Sequence, residues 1–186
     1  FEYDNKLMLN SYVESGYKPV PITEKNKHAI ELFLAHIKNM LSDEKEQTIL
    51  LDWLAYVVQN AGKRINWAIL LQGAQGTGKS YFAKVLEWLF GSNAKSLDPS
   101  ALGERFTGWA HGSLVNIVEE IRIKGDDKWR IMDRLKPFIT NSMIQIEEKG
   151  RDHRTVPNFT NYLLLTNYKD ALPITNDDRR FCVMYG

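Results

Sequence analysis

Several features that define whole classes of protein are missing from this sequence. Its 186 residues include a single cysteine, Cys182, which excludes a disulfide within the chain and favours a reducing, intracellular setting. Because Cys182 lies in an apolar run, we expect it to be a buried strand residue. There is no apolar run of about 18 residues and no signal peptide, so we expect no membrane span or membrane partner.

A strong charge of one sign is also lacking. The formal net charge is +1, so the chain has no overall field to attract nucleic acid, and such contacts would have to come from local clusters. With 44% hydrophobic residues, the chain can bury one good core and a small satellite domain. It begins at Phe1 without Met and ends at Gly186 directly after a strand-like run, so we expect it to be part of a longer protein.

The stretch LLQGAQGTGKSYF, residues 70–82, is the most informative part of the sequence. An apolar strand is followed by Gly73, four further residues and then Gly78-Lys79-Ser80. Glycines permit positive φ values that turn backbone N–H groups inward, which makes an anion site at the start of a helix. We expect Lys79 to reach the outer phosphates of a nucleotide and Ser80 to hold Mg²⁺. The expected phosphate-binding residues are Gly73, Ala74, Gln75, Gly76, Thr77, Gly78, Lys79, Ser80 and Tyr81.

Two amphipathic helices are predicted in the N-terminal region. Thr23 is the expected N-cap of a helix that runs to about Met40. Ser42 is the expected N-cap of a second helix that runs to about Asn60, with Gly62 as its C-cap. Two consecutive helices of this kind predict a small helical subdomain.

The pattern then changes to short apolar runs alternating with helices, which is typical of an α/β sheet covered on both faces. We therefore divide the chain into residues 1–62, an N-terminal segment with the helical subdomain, and residues 63–186, the sheet domain. Strands are predicted at 67–72, 95–98, 114–119, 161–166 and 180–185, and helices at 79–90, 99–106 and 126–141.

The predicted strand SLVNIVEEI leads into two carboxylates, Glu119 and Glu120. Hydrolysis at a phosphate loop needs one acid for the Mg²⁺ shell and another to orient and deprotonate the attacking water. We assign Glu119 to the metal and Glu120 to the water. The alternative is a pair of solvated charges just past a strand.

A further candidate is Asn167, which follows the predicted strand NYLLLT. If that strand lies between the other two, its polar end comes beside the γ-phosphate, where an amide can fix the attacking water. The alternative is a turn-forming asparagine before a loop.

Arg179 and Arg180 stand at the start of the last predicted strand. One of them is a candidate arginine finger, which neutralises charge on the transferred phosphoryl group. Supplied by a neighbouring subunit, it would couple hydrolysis to a ring. Alternatively, the two arginines form a solvated edge or pair with Asp177 and Asp178.

Alternating apolar and polar residues in MIQIEEKGRDHRTVPNF, residues 143–159, predict a β-hairpin with a charged tip. Its basic residues could contact a DNA backbone without reading bases. The alternative is a charged turn exposed to solvent, because Glu147, Glu148 and Asp152 dilute the positive charge. The candidate DNA-binding residues are Lys149, Arg151, His153 and Arg154.

Two other classes of nucleotide-binding protein fit less well. A GTPase needs an Asn-Lys-x-Asp motif, and in Asn167-Tyr168-Lys169-Asp170 the lysine stands one place late, so we exclude that class. A small-molecule kinase usually has an arginine-rich lid and needs no pair of glutamates to activate water. A motor ATPase accounts for more of these residues.

Five segments follow one another along the chain: GAQGTGKS, LVNIVEE, IEEKGRDHRTVPN, YLLLTN and DDRRF. Taken in this order, they resemble the superfamily 3 helicases of viruses, phages and plasmids. The similarity is strongest to phage and poxvirus-type primase-helicases, in which this ATPase follows a primase or primase-polymerase module. The N-terminal LNSYVESGYKPVP is a weaker similarity to phage members.

The resemblance implies an AAA+ fold with strand order 5-1-4-3-2, assembled as a hexameric ring that moves 3′ to 5′ on single-stranded or forked DNA. It implies that Lys79 and Ser80 bind ATP and Mg²⁺, that Glu119 and Glu120 form the second acidic motif, and that Asn167 is the sensor. Either Arg179 or Arg180 would be the finger acting on the next subunit. The resemblance also implies a fused or associated primase and a location in the host-cell cytoplasm.

The same resemblance places the hairpin in the central channel, with its four basic residues near DNA. The sequence departs from many AAA+ proteins in having Glu-Glu where Asp-Glu or Asp-Asp is common, so which carboxylate is the base stays open. The family's C-terminal portion is expected to be missing from this chain. An AAA+ loader or initiator, whose ATP state governs assembly on DNA without unwinding, is the alternative function.

Overall fold

The computed structural model describes residues 2–3, 5–7, 9–14, 17–122, 127–175 and 177–186. Along the chain they form a short β-hairpin, two α-helices and then strands that alternate with helices. Short 3₁₀ turns lie at Gly91–Asn93, Pro99–Leu102 and Gly108–Ala110. The strands and α-helices are β1 (Glu2–Tyr3), β2 (Lys6–Leu7), α1 (Glu24–Met40), α2 (Glu44–Gln59), β3 (Ala68–Gln72), α3 (Ser80–Phe90), β4 (Ala94–Leu97), β5 (Val115–Val118), α4 (Asp127–Thr140), β6 (Met143–Ile146), β7 (Arg154–Pro157), β8 (Asn161–Thr166) and β9 (Phe181–Tyr185).

Five strands form one parallel sheet in the order β4-β5-β8-β3-β9. In its centre, Leu70 of β3 lies opposite Leu164 of β8 on one side and Val183 of β9 on the other. Every residue of β3 and β8 is buried. Their continuous apolar sequences follow from this position, because helices cover both faces of the sheet. The predicted α/β class, a parallel sheet covered by helices, is confirmed.

The two faces of the sheet have separate hydrophobic cores, because successive strand residues point to opposite sides. Ile69 and Leu71 face one core, and Leu70 faces the other. The first core also contains residues of α1, α2 and α3: Ile37, Leu50, Trp53, Phe82 and Leu86. The second contains residues of α4 and of the β6–β7 hairpin: Met132, Leu135, Ile144 and Ile146.

The helical region 1–62 therefore shares a buried core with the sheet domain. The boundary at residue 62 stays a prediction.

All five predicted strands of the sheet are present with ends within one residue of the prediction, and the hairpin at 143–159 is present as the antiparallel pair β6–β7. Helix α4 is present from Asp127, while residue 126, where the prediction began, lies outside the described residues.

The caps predicted for α2 are wrong at both ends. The N-cap is Asp43 rather than Ser42, because the Asp43 carboxylate accepts a hydrogen bond from the Lys45 N–H at 2.7 Å. The helix ends at Gln59, and its C-cap is Asn60 rather than Gly62. Gly62 lies in the turn that follows, with φ +83°.

Two other local predictions also need correction. The α-helix predicted at 99–106 is a 3₁₀ turn that ends at Leu102, and residues beyond it turn toward the hairpin, where the Thr107 N–H donates to the Glu147 carbonyl at 2.9 Å. Cys182 is in β9 as predicted but is half-buried, since β9 is an edge strand. In the described part of the chain, no helix combines the length and apolar character that crossing a membrane requires.

Candidate functional site

A cavity of about 240 Å³ lies at the carboxyl ends of the neighbouring strands β3, β8 and β5. Carboxyl ends of parallel strands meet at one edge of a sheet, and ligands of α/β proteins bind there. The cavity brings together three predicted segments that are far apart in sequence. They are the glycine loop predicted to bind phosphate, residues 73–80 (the phosphate loop), the acidic pair Glu119 and Glu120, and Asn167. Its lining consists of Gln75, Gly76, Gly78, Lys79, Ser80, Glu119, Glu120, Leu165, Thr166 and Asn167.

The loop between β3 and α3 has the geometry expected of an anion-binding turn. Gly76 and Gly78 have φ values of +85° and +90°, a region that other residues rarely adopt. Helix α3 begins at Ser80, so the positive end of its dipole faces the cavity. Four other predicted phosphate-binding residues do not line the cavity: Gly73, Ala74, Thr77 and Tyr81.

Lys79 is buried, with 6% of its surface exposed, although it carries a charge. Its Nζ donates hydrogen bonds to the carbonyl oxygens of Gly73 at 2.9 Å and Ala74 at 2.7 Å, and to the Thr77 hydroxyl at 3.3 Å. Burial lowers the pKa of Lys79. The ammonium group is therefore held at the cavity wall by acceptors of its own loop.

The acidic pair follows β5 directly, and both residues line the cavity. Glu120 has φ +55°, which is uncommon for a residue other than glycine. The chain after it is tied to β8, since the Ile121 N–H donates to the Leu165 carbonyl at 3.1 Å. The backbone directly after the two glutamates is therefore held next to β8.

Thr166 is a residue of the site that the sequence did not indicate. It is the last residue of β8, 1% exposed, and its hydroxyl donates to the Ile121 carbonyl at 2.7 Å and accepts from the Tyr168 N–H at 3.0 Å. The Thr166 hydroxyl therefore links the backbone just after Glu120 to the backbone just after Asn167. A threonine that ends an apolar strand carries no sequence signal for this role.

His36 is a second residue that the sequence did not indicate. It lies on α1, and its Nε2 is 3.1 Å from the carbonyl oxygen of Gly78 in the loop. Its ring also contacts the rings of Tyr81 and Phe82. Because 42 positions separate His36 from Gly78, only the packing of α1 beside α3 brings them together.

Neither Arg179 nor Arg180 lines the cavity. Both precede β9, at the edge of the sheet. Arg180 pairs with Asp178, with the guanidinium 3.3 Å from the carboxylate. Arg179 is exposed to solvent. In the single chain, both arginines therefore lie outside the cavity that the other candidate catalytic residues line.

The basic residues of the hairpin also lie away from the cavity, and most are paired with acids. Glu148 accepts from Arg151 at 3.1 Å and from Arg154 at 2.9 Å. His153 lies 3.5 Å from Glu147. Lys149, at the tip, is exposed, and among the described residues no ion pair involves it.

A protein-family model described as "Family of unknown function (DUF5906)" matches residues 71–180. The chain belongs to the DUF5906 family. The matched region of this DUF5906 chain includes the residues around the cavity and extends to Arg180, whereas His36 lies outside it.

The DUF5906 chain is related to a phage replication protein. It is 25% identical over 173 residues to the "DNA Primase-polymerase" of Nitratiruptor phage NrS-1, covering 90% of this chain and 24% of the phage protein. The DUF5906 chain thus spans about a quarter of that relative.

Solved structures of the NrS-1 C-terminal region share the fold. An apo structure superimposes with a TM-score of 0.77 at 24% identity, covering 92% of this DUF5906 chain and 40% of the other. A second apo form gives a TM-score of 0.73 at 22% identity, covering 97% and 41%. The likeness to these two structures establishes the fold of the region alone.

Proposed function

We propose that the chain is an ATP-dependent DNA helicase module, similar to superfamily 3, in a phage or mobile-element replication protein. The cavity carries the proposal, because the phosphate loop, the acidic pair and Asn167 line it together. The strand order supports an AAA+ type of fold. Numbered along the chain, the five strands run 2-3-4-1-5 across the sheet, which is 5-1-4-3-2 seen from the other edge.

In this proposal, the loop N–H groups and Lys79 bind the phosphates of ATP, while Ser80 and Glu119 hold Mg²⁺. The ion supplies charge neutralisation at the phosphate oxygens. A magnesium ion bound with a nucleotide takes one or two protein carboxylates, and the cavity provides such a set in Glu119 with the Ser80 hydroxyl. Among the described residues, no cluster of three or more His, Cys, Asp or Glu side chains could hold a metal by itself.

Glu120 and Asn167 act on the attacking water in this proposal. Glu120 accepts its proton, and the Asn167 amide orients it toward the γ-phosphate. Strand β8, which ends at Thr166, lies between β3 and β5 in the sheet, so Asn167 lies between the phosphate loop and the acidic pair. This placement supports a water-orienting role for the Asn167 amide.

The remaining roles need other molecules. Arg179 or Arg180, which lie outside the cavity of their own chain, would reach the site of a neighbouring subunit in a hexamer. The hairpin would contact the backbone of single-stranded or forked DNA through Lys149, Arg151, His153 and Arg154. The relationship to a phage primase-polymerase supports a role in replication beside a primase.

The charge pairing of the hairpin favours a second candidate, an AAA+ loader or initiator that assembles on DNA without unwinding it. Glu147 and Glu148 are both paired with basic residues of the hairpin: Arg151, His153 and Arg154. A channel loop that follows DNA needs positive charge that phosphates can reach. An ATPase that only assembles on DNA needs less accessible positive charge on this hairpin.

The experiment is an ATPase assay with and without single-stranded DNA, together with strand displacement on forked DNA and a mass measurement for ring formation. The helicase proposal predicts hydrolysis that DNA stimulates and displacement that depends on ATP. The variant Glu120→Gln should bind ATP but not hydrolyse it. Glu104→Gln, on an exposed turn outside the cavity, is the matched control and should behave like the wild type.

Two results would decide against the helicase proposal. ATP hydrolysis that DNA does not stimulate, with no displacement, would favour the loader or initiator if oligomers form with nucleotide. No binding of ATP at all would reject both candidates.

A further inference from the structure

Helix α1 contacts the phosphate loop through His36. Its Nε2 lies 3.1 Å from the carbonyl oxygen of Gly78, which also accepts a hydrogen bond from the Tyr81 N–H at 3.0 Å. A carbonyl oxygen can only accept, so Nε2 must carry a proton and donate. The Gly78 carbonyl thus has a main-chain donor from α3 and a side-chain donor from α1.

The ring of His36 lies directly on the loop. A Cβ added to Gly78 would be 2.3 Å from His36 Cε1, closer than any real contact allows. With φ at +90°, Gly78 already has a conformation that favours glycine. Any larger residue at position 78 would have to displace the His36 ring.

Packing holds the His36 ring in place independently of its hydrogen bond. Its centroid lies 5.2 Å from that of Tyr81 and 5.4 Å from that of Phe82, and Phe82 is fully buried. The next residue on α1, Ile37, is also buried, with 1% exposure, in the core shared with the sheet. These contacts support the position of the donor without any help from a nucleotide.

The direction of the Gly78 carbonyl determines the direction of the next N–H. In a trans peptide, C=O and N–H point to opposite sides, and the described residues contain no cis peptide. When the Gly78 oxygen is held toward α1 and the first turn of α3, the Lys79 N–H points the other way, out of the start of α3. N–H groups at such a position bind anions.

We propose that His36 is a positioning residue for the phosphate loop: by holding the Gly78 carbonyl, it keeps the Lys79 N–H turned toward a bound triphosphate. This inference rests on the proposed function, in which the cavity binds ATP. It also makes the docking of α1 part of the nucleotide site, although α1 contributes no residue to the cavity wall.

The test compares His36→Leu, which removes the donor at similar volume, with His36→Gln, whose amide nitrogen can replace Nε2. His28→Leu is the matched control, because His28 is on the same helix and its side chain is 76% exposed. In each full-length variant, calorimetry measures the binding of Mg²⁺-ATP and of inorganic tripolyphosphate, and the ATPase assay gives KM and kcat.

We expect His36→Leu to weaken the binding of both ligands roughly three- to tenfold, as loss of one hydrogen bond predicts, and to raise KM more than it lowers kcat. His36→Gln should restore most of the affinity, and His28→Leu should match the wild type. A melting curve checks that each variant is folded. If His36→Leu does not fold, His36→Phe, which keeps a ring without a donor, takes its place in the comparison.

The inference is wrong if the wild type binds both ligands and His36→Leu binds them equally well. It is also wrong if His36→Gln is as weak as His36→Leu, which would show that ring packing matters and the donor does not. Weakened ATP binding with unchanged tripolyphosphate binding would place His36 at the base instead. A wild type that binds neither ligand, by contrast, rejects the proposed function itself.

Discussion

The side-chain ammonium of Lys79 donates a hydrogen bond to the carbonyl oxygen of Ala74 at 2.7 Å, so the lysine folds back over its own loop. The Thr77 hydroxyl donates to the same oxygen at 3.0 Å. A phosphate oxygen is a stronger acceptor for an ammonium group than a carbonyl oxygen, because it is charged. Nucleotide binding should therefore exchange these contacts for contacts to phosphate.

Lys79→Ala should abolish ATP hydrolysis and weaken nucleotide binding. Removing one preorganised donor from a site typically lowers kcat by roughly a hundredfold or more. Lys84→Ala is the control, because Lys84 is an exposed lysine on the same helix. The measurement is steady-state ATPase activity. Equal loss in both variants would point to damage of α3 rather than of the site.

Glu120→Asn should abolish hydrolysis without lowering stability. Glu120 has φ +55°, a region in which asparagine is tolerated better than glutamate. We expect the free energy of unfolding to stay the same or to rise by up to about 1 kcal/mol, because a glutamate is strained in this region. Urea denaturation measures this change alongside the ATPase assay. Glu104→Asn is the control, and a clear loss of stability in Glu120→Asn alone would contradict the prediction.

Glu148→Gln should strengthen binding to single-stranded DNA, whereas Arg151→Ala should weaken it. Glu148 accepts hydrogen bonds from both Arg151 and Arg154, and without its charge the two guanidinium groups are available to phosphates. We expect a change of roughly three- to tenfold for Glu148→Gln, and a salt slope smaller by about one for Arg151→Ala.

The matched control for the hairpin is Glu31→Gln. It makes the same change in charge on α1, which packs on the opposite face of the sheet from the hairpin. Fluorescence anisotropy at several salt concentrations measures all three variants. If Glu31→Gln strengthens DNA binding as much as Glu148→Gln, net charge alone is responsible.

Protonation of His111 should destabilise the fold at acid pH. Burial lowers the pKa of His111 below its usual 6.5, and the nearby charges of Arg154 and Lys95 lower it further, while Glu148 opposes them. Because its pKa is lower in the folded state, the unfolded chain binds this proton more readily than the folded chain. The contribution of His111 to the free energy of unfolding is therefore fully present above pH 6.5 and is lost as the pH falls through the lowered pKa.

His111→Gln should therefore lose less stability on acidification than the wild type. The measurement is the melting temperature from about pH 8 to about pH 5, with the two proteins compared at each pH. At about pH 8, His111 is neutral in both states, so any difference there reflects packing alone. Parallel curves across the range would contradict the prediction.

The strands and the glycine loop between β3 and α3 were predictable because their signals are local. Continuous apolar runs mark the strands β3 and β8, and the glycine pattern at 73–78 marks the loop, since both depend on residues adjacent in sequence. The hairpin followed from period-two alternation. Caps were less predictable, because Ser42 and Asp43 are both good N-caps and the choice depends on which oxygen meets the helix N–H group.

Prediction of the site required more than local sequence signals. Asn167 was chosen on the condition that its strand would lie between the other two, which the pairing of β8 with both β3 and β5 fulfils. Their catalytic roles stay predictions. Thr166 and His36 could not be predicted, since their side chains act through contacts with Ile121 and Gly78 that packing alone creates.

By itself, the sequence determined the local conformations: the strands, the glycine loop, the hairpin and the acidic pair after β5. Their residues and their neighbours in sequence decide these features through propensity and periodicity. Only the tertiary structure decided which of these segments meet at the cavity, that α1 contacts the loop through His36, and that Glu148 pairs with the hairpin arginines. Those contacts depend on the strand order and on burial against both faces of the sheet, which are properties of the whole chain.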